Sequence, residues 1–300
     1  MEKFISTLNH IGVLEIKGDD SASFLQSQLT SDINNLADKN WQFSAWCNPQ
    51  GRIISNFFVY RSDNTYYMLL PIALVEPVRN RLTMYIFRSK VTITNKSNEM
   101  SCYGVSRKDM SSFENRLGLN NNFFIIDVSD KLFQRNIIVA VQSNSVETEL
   151  ASSEITAIDN NTWQTMDLNA GIPWITENTT ETIIPQELEL NKLDGLSLNK
   201  GCFPGQEIIA RLHYRGKVKH GLFIGKAMQS DYIPEEGAKL YAENGKIMCG
   251  TILNIVTNEQ GHMQLLAVVN LNNINLENYF LENNIAFNIK FSAANFQRSN

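Results

Sequence analysis

No apolar run in this chain of 300 residues reaches the roughly 20 residues that a helix needs to cross a bilayer. The opening MEKFISTLNHIGVLEI lacks the basic, apolar and small-residue order of a secretory signal, so the expected location is cytoplasmic, with no membrane partner. Cysteine is scarce. Cys47, Cys102, Cys202 and Cys249 stand far apart, with no CxxC and no Cys–His pair at ligand spacing. Such spacing argues against a disulfide framework and gives no zinc or iron–sulfur signature, so no metal is expected. Four histidines form no readable triad with Ser and Asp. Charged residues make up 19% of the chain and the net charge is −5, which excludes a protein that is basic overall and gives no reason to expect DNA as a partner. No internal repeat is visible.

What is present is a globular composition, 43% hydrophobic, in a chain too long for one small core. IGVLEIKGDD reads as a strand. SASFLQSQLTSDI reads as a helix capped by Asp20 or Ser21, with Ala22, Leu25, Leu29 and Ile33 on one face. WQFSAWCNPQGRIISNFFVY is two strands joined by the turn Asn48-Pro49-Gln50-Gly51. The strand TYYMLLP, the helical run ALVEPVRNRLTMYIFR and the strand KVTITN follow. This order is a ferredoxin-like split βαβ unit with one extra strand, an α+β fold. Residues 100–150 form a second mixed segment with apolar runs at FFIIDV and NIIVAVQ. NTWQTMDLNAGIPWI reads as a helix ending at Gly171. From 220 the pattern is short strands without helical period, a small β-barrel or sandwich, with 217–221 as the boundary.

One stretch does not read as packing: SLNKGCFPGQEIIARLHYRG, residues 197–216. Phe203-Pro204-Gly205-Gln206 has the residues of a type II turn, and QEIIARLHY begins a helix. Cys202 therefore sits just ahead of a helix N-terminus, among Lys200, Arg211, Arg215, Lys217 and Lys219, with Glu207 alone against them. That setting favours a thiolate. The alternative is a small hydrophobe beside a turn, the commoner fate of a free cysteine. Trp163 and Trp174 bracket DLNAGIP as junction packing or as a flat wall for a heteroaromatic ring. Glu187 and Glu189 read as solvated carboxylates.

Residue by residue, KGCFPGQE resembles the K-G-C-[YF]-x-G-Q-E motif of YgfZ-type folate-binding proteins, relatives of the aminomethyltransferase (T-protein) of glycine cleavage. FLQSQLTSDI, CNPQGRIISNFFVYR, NAGIP and IIPQELELNKLDGLSLNKGCF resemble further family segments, so the likeness spans the chain. The resemblance implies a ring of three subdomains around a folate channel, ending in a small β-barrel. Residues 1–98 would be a folate-binding α+β subdomain, 99–159 a second α+β subdomain, 160–219 a return segment carrying the motif, completing the first, and 220–300 the barrel. It also implies a bound tetrahydrofolate, with Trp163 beside it and Asn169 where relatives carry a pterin-binding glutamate. Ile11 stands where some members have a second tryptophan. Lys200, Gln206, Glu207, Arg211 and Arg215 fall in the implied folate-binding motif. Arg211 and Arg215 are expected to meet the glutamate tail, and Cys202 to be a functional thiol.

The implied function is an accessory role for iron–sulfur enzymes and tRNA methylthiolation, with those enzymes as clients and direct tRNA contact left open. The alternative is a folate-dependent one-carbon or aminomethyl transferase using Cys202. T-proteins place an acidic pair where this chain has Ser55 and Asn56. Neither titrates near neutrality, which leans away from an enzyme of that kind.

Overall fold

The computed structural model describes residues 3–106, 123–130, 133–141, 155–227, 232–243, 245–276, 278–282 and 285–294. Parts of the 100–150 segment lie outside the described residues. Three sheets carry the chain, and among the described residues no helix is long and apolar enough to cross a membrane.

The first sheet is built from β2 (Ile11–Lys17), β3 (Trp41–Cys47), β4 (Ile53–Ser62), β5 (Thr65–Pro71) and β6 (Thr92–Asn95), in the order β3-β4-β5-β2-β6. All neighbours are antiparallel. With α1 (Ser21–Gln28) and α2 (Ile72–Thr83) as its crossovers, this is the split βαβ unit read from the sequence, with β3 as the extra strand. Helix α1 stops earlier than the periodicity suggests. Leu29 is extended and bridges to Trp46, and Ile33 falls in a separate 3₁₀ turn held by the Asp32 side chain accepting from Asn34 N–H. Both apolar side chains still reach the core, by a route that helical spacing does not reveal.

A second sheet has the order β10-β1-β7-β9-β8, from β1 (Phe4–Thr7), β7 (Met100–Ser106), β8 (Phe123–Asp127), β9 (Asn136–Val141) and β10 (Thr156–Ala157). The first strand of the chain is therefore in a different sheet from the second. Helix α3 (Asn160–Ala170) follows, N-capped by the Asp159 side chain accepting from Thr162 N–H at 2.8 Å and closed by Gly171 at φ 72°. A coiled segment then leads to α4 (Gln206–Arg215).

The C-terminal unit is all β. It contains β11 (His220–Ala227), β12 (Lys239–Ala242), β13 (Ile247–Thr257), β14 (Met263–Asn270), β15 (Tyr279–Phe280), β16 (Ala286–Phe287) and β17 (Ile289–Ala293), in the order β16-β15-β12-β13-β14-β11-β17. It has its own core around Leu240, Ile252, Leu265, Tyr279 and Phe287. Among the described residues no ladder joins β16 to β17, so the sheet is not hydrogen-bonded into a closed barrel. Yet these opposite edges are separated in sequence by Asn288 alone. The sheet must curl until its two edges meet at that residue, which gives the unit the curvature expected of a small barrel.

Candidate functional site

The motif loop is fixed from below. Gly205 sits at φ 79°, ψ 0°, and Gln206 N–H donates to the Phe203 carbonyl at 3.1 Å, which is the type II turn expected. The turn lies directly on the β3–β4 turn, where Gly51 N–H donates to the Asn48 carbonyl at 2.9 Å and Gly51 has φ 75°. A Cβ on Gly205 would stand 2.5 Å from the Gly51 Cα and 2.6 Å from the Asn48 oxygen. The two turns, distant in sequence, touch backbone to backbone. On the inner face of α4, Ile209 is buried and its carbonyl accepts from Gln186 Nε2 at 2.7 Å.

Lys200 is a second anchor. Its ammonium donates to the carbonyls of Leu29 at 2.6 Å and Ser31 at 2.8 Å, just past the end of α1, and stands 5.4 Å from the Phe203 ring. Burial pulls its pKa down to about 8, against the raising effect of Asp32. The side chain thus locks the loop to the first sheet. Above these anchors Cys202 is exposed, as are Glu207, Arg211 and Arg215, while Gln206 is half-buried. Ile208 and Tyr214 stand out on the same helix at 50% and 68% exposure, an apolar element within the basic surface. The other cysteines are buried, and burial alone pushes Cys47 far up and Cys102 up to about 12.

A different part of the chain forms a cleft. A cavity of about 290 Å³ lies where α2, α3, the Trp174 segment and β13 converge. Ile72, Leu168, Trp174 and Val256 form apolar walls, and His10, Asp167, Glu236 and Asn254 supply polar atoms. Neither ring nitrogen of His10 makes a hydrogen bond of normal geometry, although both are buried. Burial holds its pKa below the ordinary histidine value, opposed by the Asp167 charge and the neighbouring Asn160. Burial also raises Glu236 above the usual carboxylate range, opposed by bonds from Asn254 and Thr176. Asn254 clasps the Trp174 backbone on both sides, accepting from its N–H and donating to its carbonyl, each at 2.9 Å.

Trp163 and Trp174 are joined by a buried ion pair. Trp174 Nε1 donates to Asp167 at 3.3 Å, and Arg135, fully buried, donates to the other Asp167 oxygen at 2.7 Å. The Arg135 guanidinium lies 5.0 Å from the Trp163 ring. Trp163 itself is 0% exposed and packs against Gly104, where a Cβ would meet the ring at 2.4 Å. Of the two tryptophans, Trp174 is the cavity wall; Trp163 stands behind it. Asn169 does not line the smaller cavity; it accepts a hydrogen bond from Gln264. Gln264 lines a second cavity, of about 810 Å³, on the C-terminal sheet. Arg211, Arg215, Lys200 and Cys202 line neither cavity.

Ser55 and Asn56 are both fully buried. Asn56 Nδ2 donates to the Pro173 carbonyl and its Oδ1 accepts from Ile175 N–H, each at 2.7 Å. At this place the chain has a structural clamp, committed on both sides of the amide. Among the described residues no group of three or more His, Cys, Asp or Glu side chains is placed to hold a metal.

The sequence reading thus found the exposed loop but missed His10, Asp167, Glu236 and Asn254. These come from four separate segments, with no spacing to connect them.

Comparison with known proteins bears on the family resemblance and the fold. Residues 5–106 match the GCVT N-terminal domain family. The chain is 28% identical over 284 residues to the tRNA-modifying protein YgfZ of Escherichia coli K12, covering 89% of this chain and 85% of that protein. The YgfZ of Shigella flexneri matches to the same extent. Aminomethyltransferase T of the glycine cleavage system from Bartonella henselae superposes with a TM-score of 0.73 over 99% of this chain and 86% of that one, at 13% identity. The last likeness speaks for the fold, which is the GcvT-like α+β fold. The resemblance to YgfZ-type members of that superfamily is borne out.

Proposed function

We propose that this protein is a folate-binding accessory factor in tRNA modification, supporting iron–sulfur enzymes such as a methylthiolating one without holding a cluster itself. The observation that carries the reading is similarity along 89% of the chain to proteins named as tRNA-modifying. The smaller cavity supports the folate part. Its volume of about 290 Å³ is at the small end of ligand sites, which run from roughly 300 to 1,000 Å³. That suits a reduced pterin head. Trp174 offers it a flat wall, Leu168 and Val256 offer apolar ones, Glu236 and Asp167 offer acceptors for its N–H edge, and His10 adds a buried imidazole beside them. A bound tetrahydrofolate would supply a one-carbon carrier, and these residues would hold and orient it.

An aminomethyl-transfer role is disfavoured by the Asn56 clamp, which cannot exchange protons near neutrality and has no free face. A transferase using Cys202 is disfavoured because that thiol does not line the cavity. The exposed Cys202, Ile208 and Tyr214 with their surrounding cations suit contact with a client protein.

Calorimetric titration of the reduced protein with tetrahydrofolate tests the ligand: saturable binding, weakened at least about tenfold by His10→Ala or Glu236→Gln, is expected. Binding that neither change affects refutes the assignment of the cavity. For the cellular role, deletion of the gene should lower 2-methylthio modification of tRNA, with Cys202→Ala behaving like the deletion. Normal modification in both refutes the accessory role.

A further inference from the structure

Another cleft, of about 410 Å³, opens between the 3₁₀ turn after α1, the segment leading to the motif loop and the C-terminal end of α4. Several of its polar groups are unspent. Among the described residues the Asp194 carboxylate, the side-chain amides of Asn191 and Asn199 and the Tyr214 hydroxyl have no hydrogen-bond or ion-pair partner. Gln42 donates to Ser31 at 2.6 Å and keeps its carbonyl oxygen. Asp32, by contrast, is committed, accepting from Gln26, Asn34 and Asn35. Two rings stand at the α4 end: Tyr214, 68% exposed, and His213, edge-on to it with centroids 4.9 Å apart.

Tyr214 also belongs to the outer face of α4. At 3.6 residues per turn it lies opposite the buried Ile209, beside Arg211 one turn earlier and next to Arg215. Lys217 and Lys219 follow past the helix end, both exposed. Among the described residues none of these four cations has a carboxylate partner, and Glu207 on the same face is bonded to none of them. Charge is thus sorted, with a free carboxylate and neutral amides inside the cleft and unpaired cations outside it. An acidic peptide entering the cleft would bring carboxylates against Asp194 and Asp32, which repel them. A nucleic-acid strand suits both sets. Its bases are neutral and carry N–H donors for Asp194 and Gln42, their faces stack on an aromatic ring, and its phosphates meet the arginines and lysines. A base already paired in a helix does not offer its edge and face in this way, so the strand must be unpaired.

We infer that this cleft receives an unpaired base of an RNA loop, stacked on Tyr214, with Arg211, Arg215, Lys217 and Lys219 on the flanking phosphates. The assignment rests on the tRNA part of the proposed function and adds to it direct contact with the RNA. It leaves Cys202 and Ile208, before and within the first turn of α4, to the client protein.

Fluorescence anisotropy provides the test. A tRNA transcript, an RNA hairpin with an unpaired loop, a fully paired RNA duplex and an acidic peptide are each titrated with wild type, Tyr214→Ala, Tyr214→Phe and Arg211→Ala/Arg215→Ala. Wild type is expected to bind the tRNA and the hairpin about tenfold more tightly than the duplex. Tyr214→Ala should weaken hairpin binding about tenfold, the scale of one base stack, and leave duplex binding unchanged. Tyr214→Phe keeps the ring and should bind as wild type does. The arginine pair should weaken binding of every RNA and reduce the salt slope for the hairpin by about 1.5. Equal binding of hairpin and duplex, or hairpin binding that Tyr214→Ala leaves intact, overturns the inference. So does an acidic peptide that binds more tightly than the RNAs, which would make this face a protein-docking surface. If the pure protein binds no RNA while gene deletion still lowers 2-methylthio modification, the inference falls and the accessory reading stands. Normal modification after deletion removes both.

Discussion

Gly205→Ala is the sharpest probe of how the motif loop is held. The new methyl group meets two penalties. Its backbone at φ 79° is left-handed, which costs a residue with a Cβ about 1–2 kcal/mol. The methyl would also lie 2.5 Å from the Gly51 Cα and 2.6 Å from the Asn48 oxygen and the Gly51 nitrogen. These are backbone atoms in a hydrogen-bonded turn, which cannot rotate aside as a side chain would. Forcing the turns apart is overpacking, worth about another 1–3 kcal/mol. The expected loss is therefore about 2–5 kcal/mol, a large share of a typical domain stability of roughly 5–15 kcal/mol. Gly201→Ala, four residues away, is the control: nothing lies within 4 Å of its Cβ position, and the change should stay within about 0.5 kcal/mol. Urea unfolding followed by tryptophan fluorescence measures both, with m-values compared to check that the transition keeps its character. A Gly205→Ala protein within about 0.5 kcal/mol of wild type refutes the backbone contact between the two turns.

Three further outcomes are expected. Asn56→Ala leaves the Pro173 carbonyl and Ile175 N–H buried without their partners, and should cost about 2–4 kcal/mol in the same urea assay; a neutral result removes the clamp. The Lys200 side-chain resonance should titrate near pH 8, below the ordinary lysine value of 10.5. In that window the unfolded chain holds the proton and the folded chain has lost it, so stability attributable to this group rises with pH between those values; a midpoint above 10 contradicts its burial. Native protein should react quickly with a thiol reagent at Cys202 alone, leaving Cys47, Cys102 and Cys249 slow until unfolding, and two fast thiols under native conditions would contradict that burial pattern.

The parts legible in the sequence are those written in adjacent residues. Pro204-Gly205 announces a turn and Gly171 a helix end, because a left-handed φ leaves few residue choices. The β-rich runs of β2 to β5 and the Asn48–Gly51 turn mark the first sheet, whose strands follow one another closely. What escaped is pairing over distance. Nothing near Arg135 signals that it is buried on Asp167, since an arginine ordinarily lies at the surface and its partner is 32 residues away. Asp167 itself looks like a solvated position on a polar helix until Trp174 Nε1 and Arg135 are placed on either side of it. The spacing of DLNAGIP leaves open which of Trp163 and Trp174 lines a cavity; only Trp174 does.

The seam at Asn288 has a consequence for how the protein is made. Residues 286–293 pair with β15 on one side and with β11 on the other. Until they leave the ribosome, both of those strands present raw edges, and β11 waits some 68 residues for Ser292 to reach Ile224. Unpaired edges invite pairing with other chains. The C-terminal unit therefore acquires its protection only after nearly all of its sequence has been synthesised, and a ribosome that stalls before residue 286 leaves it at its stickiest.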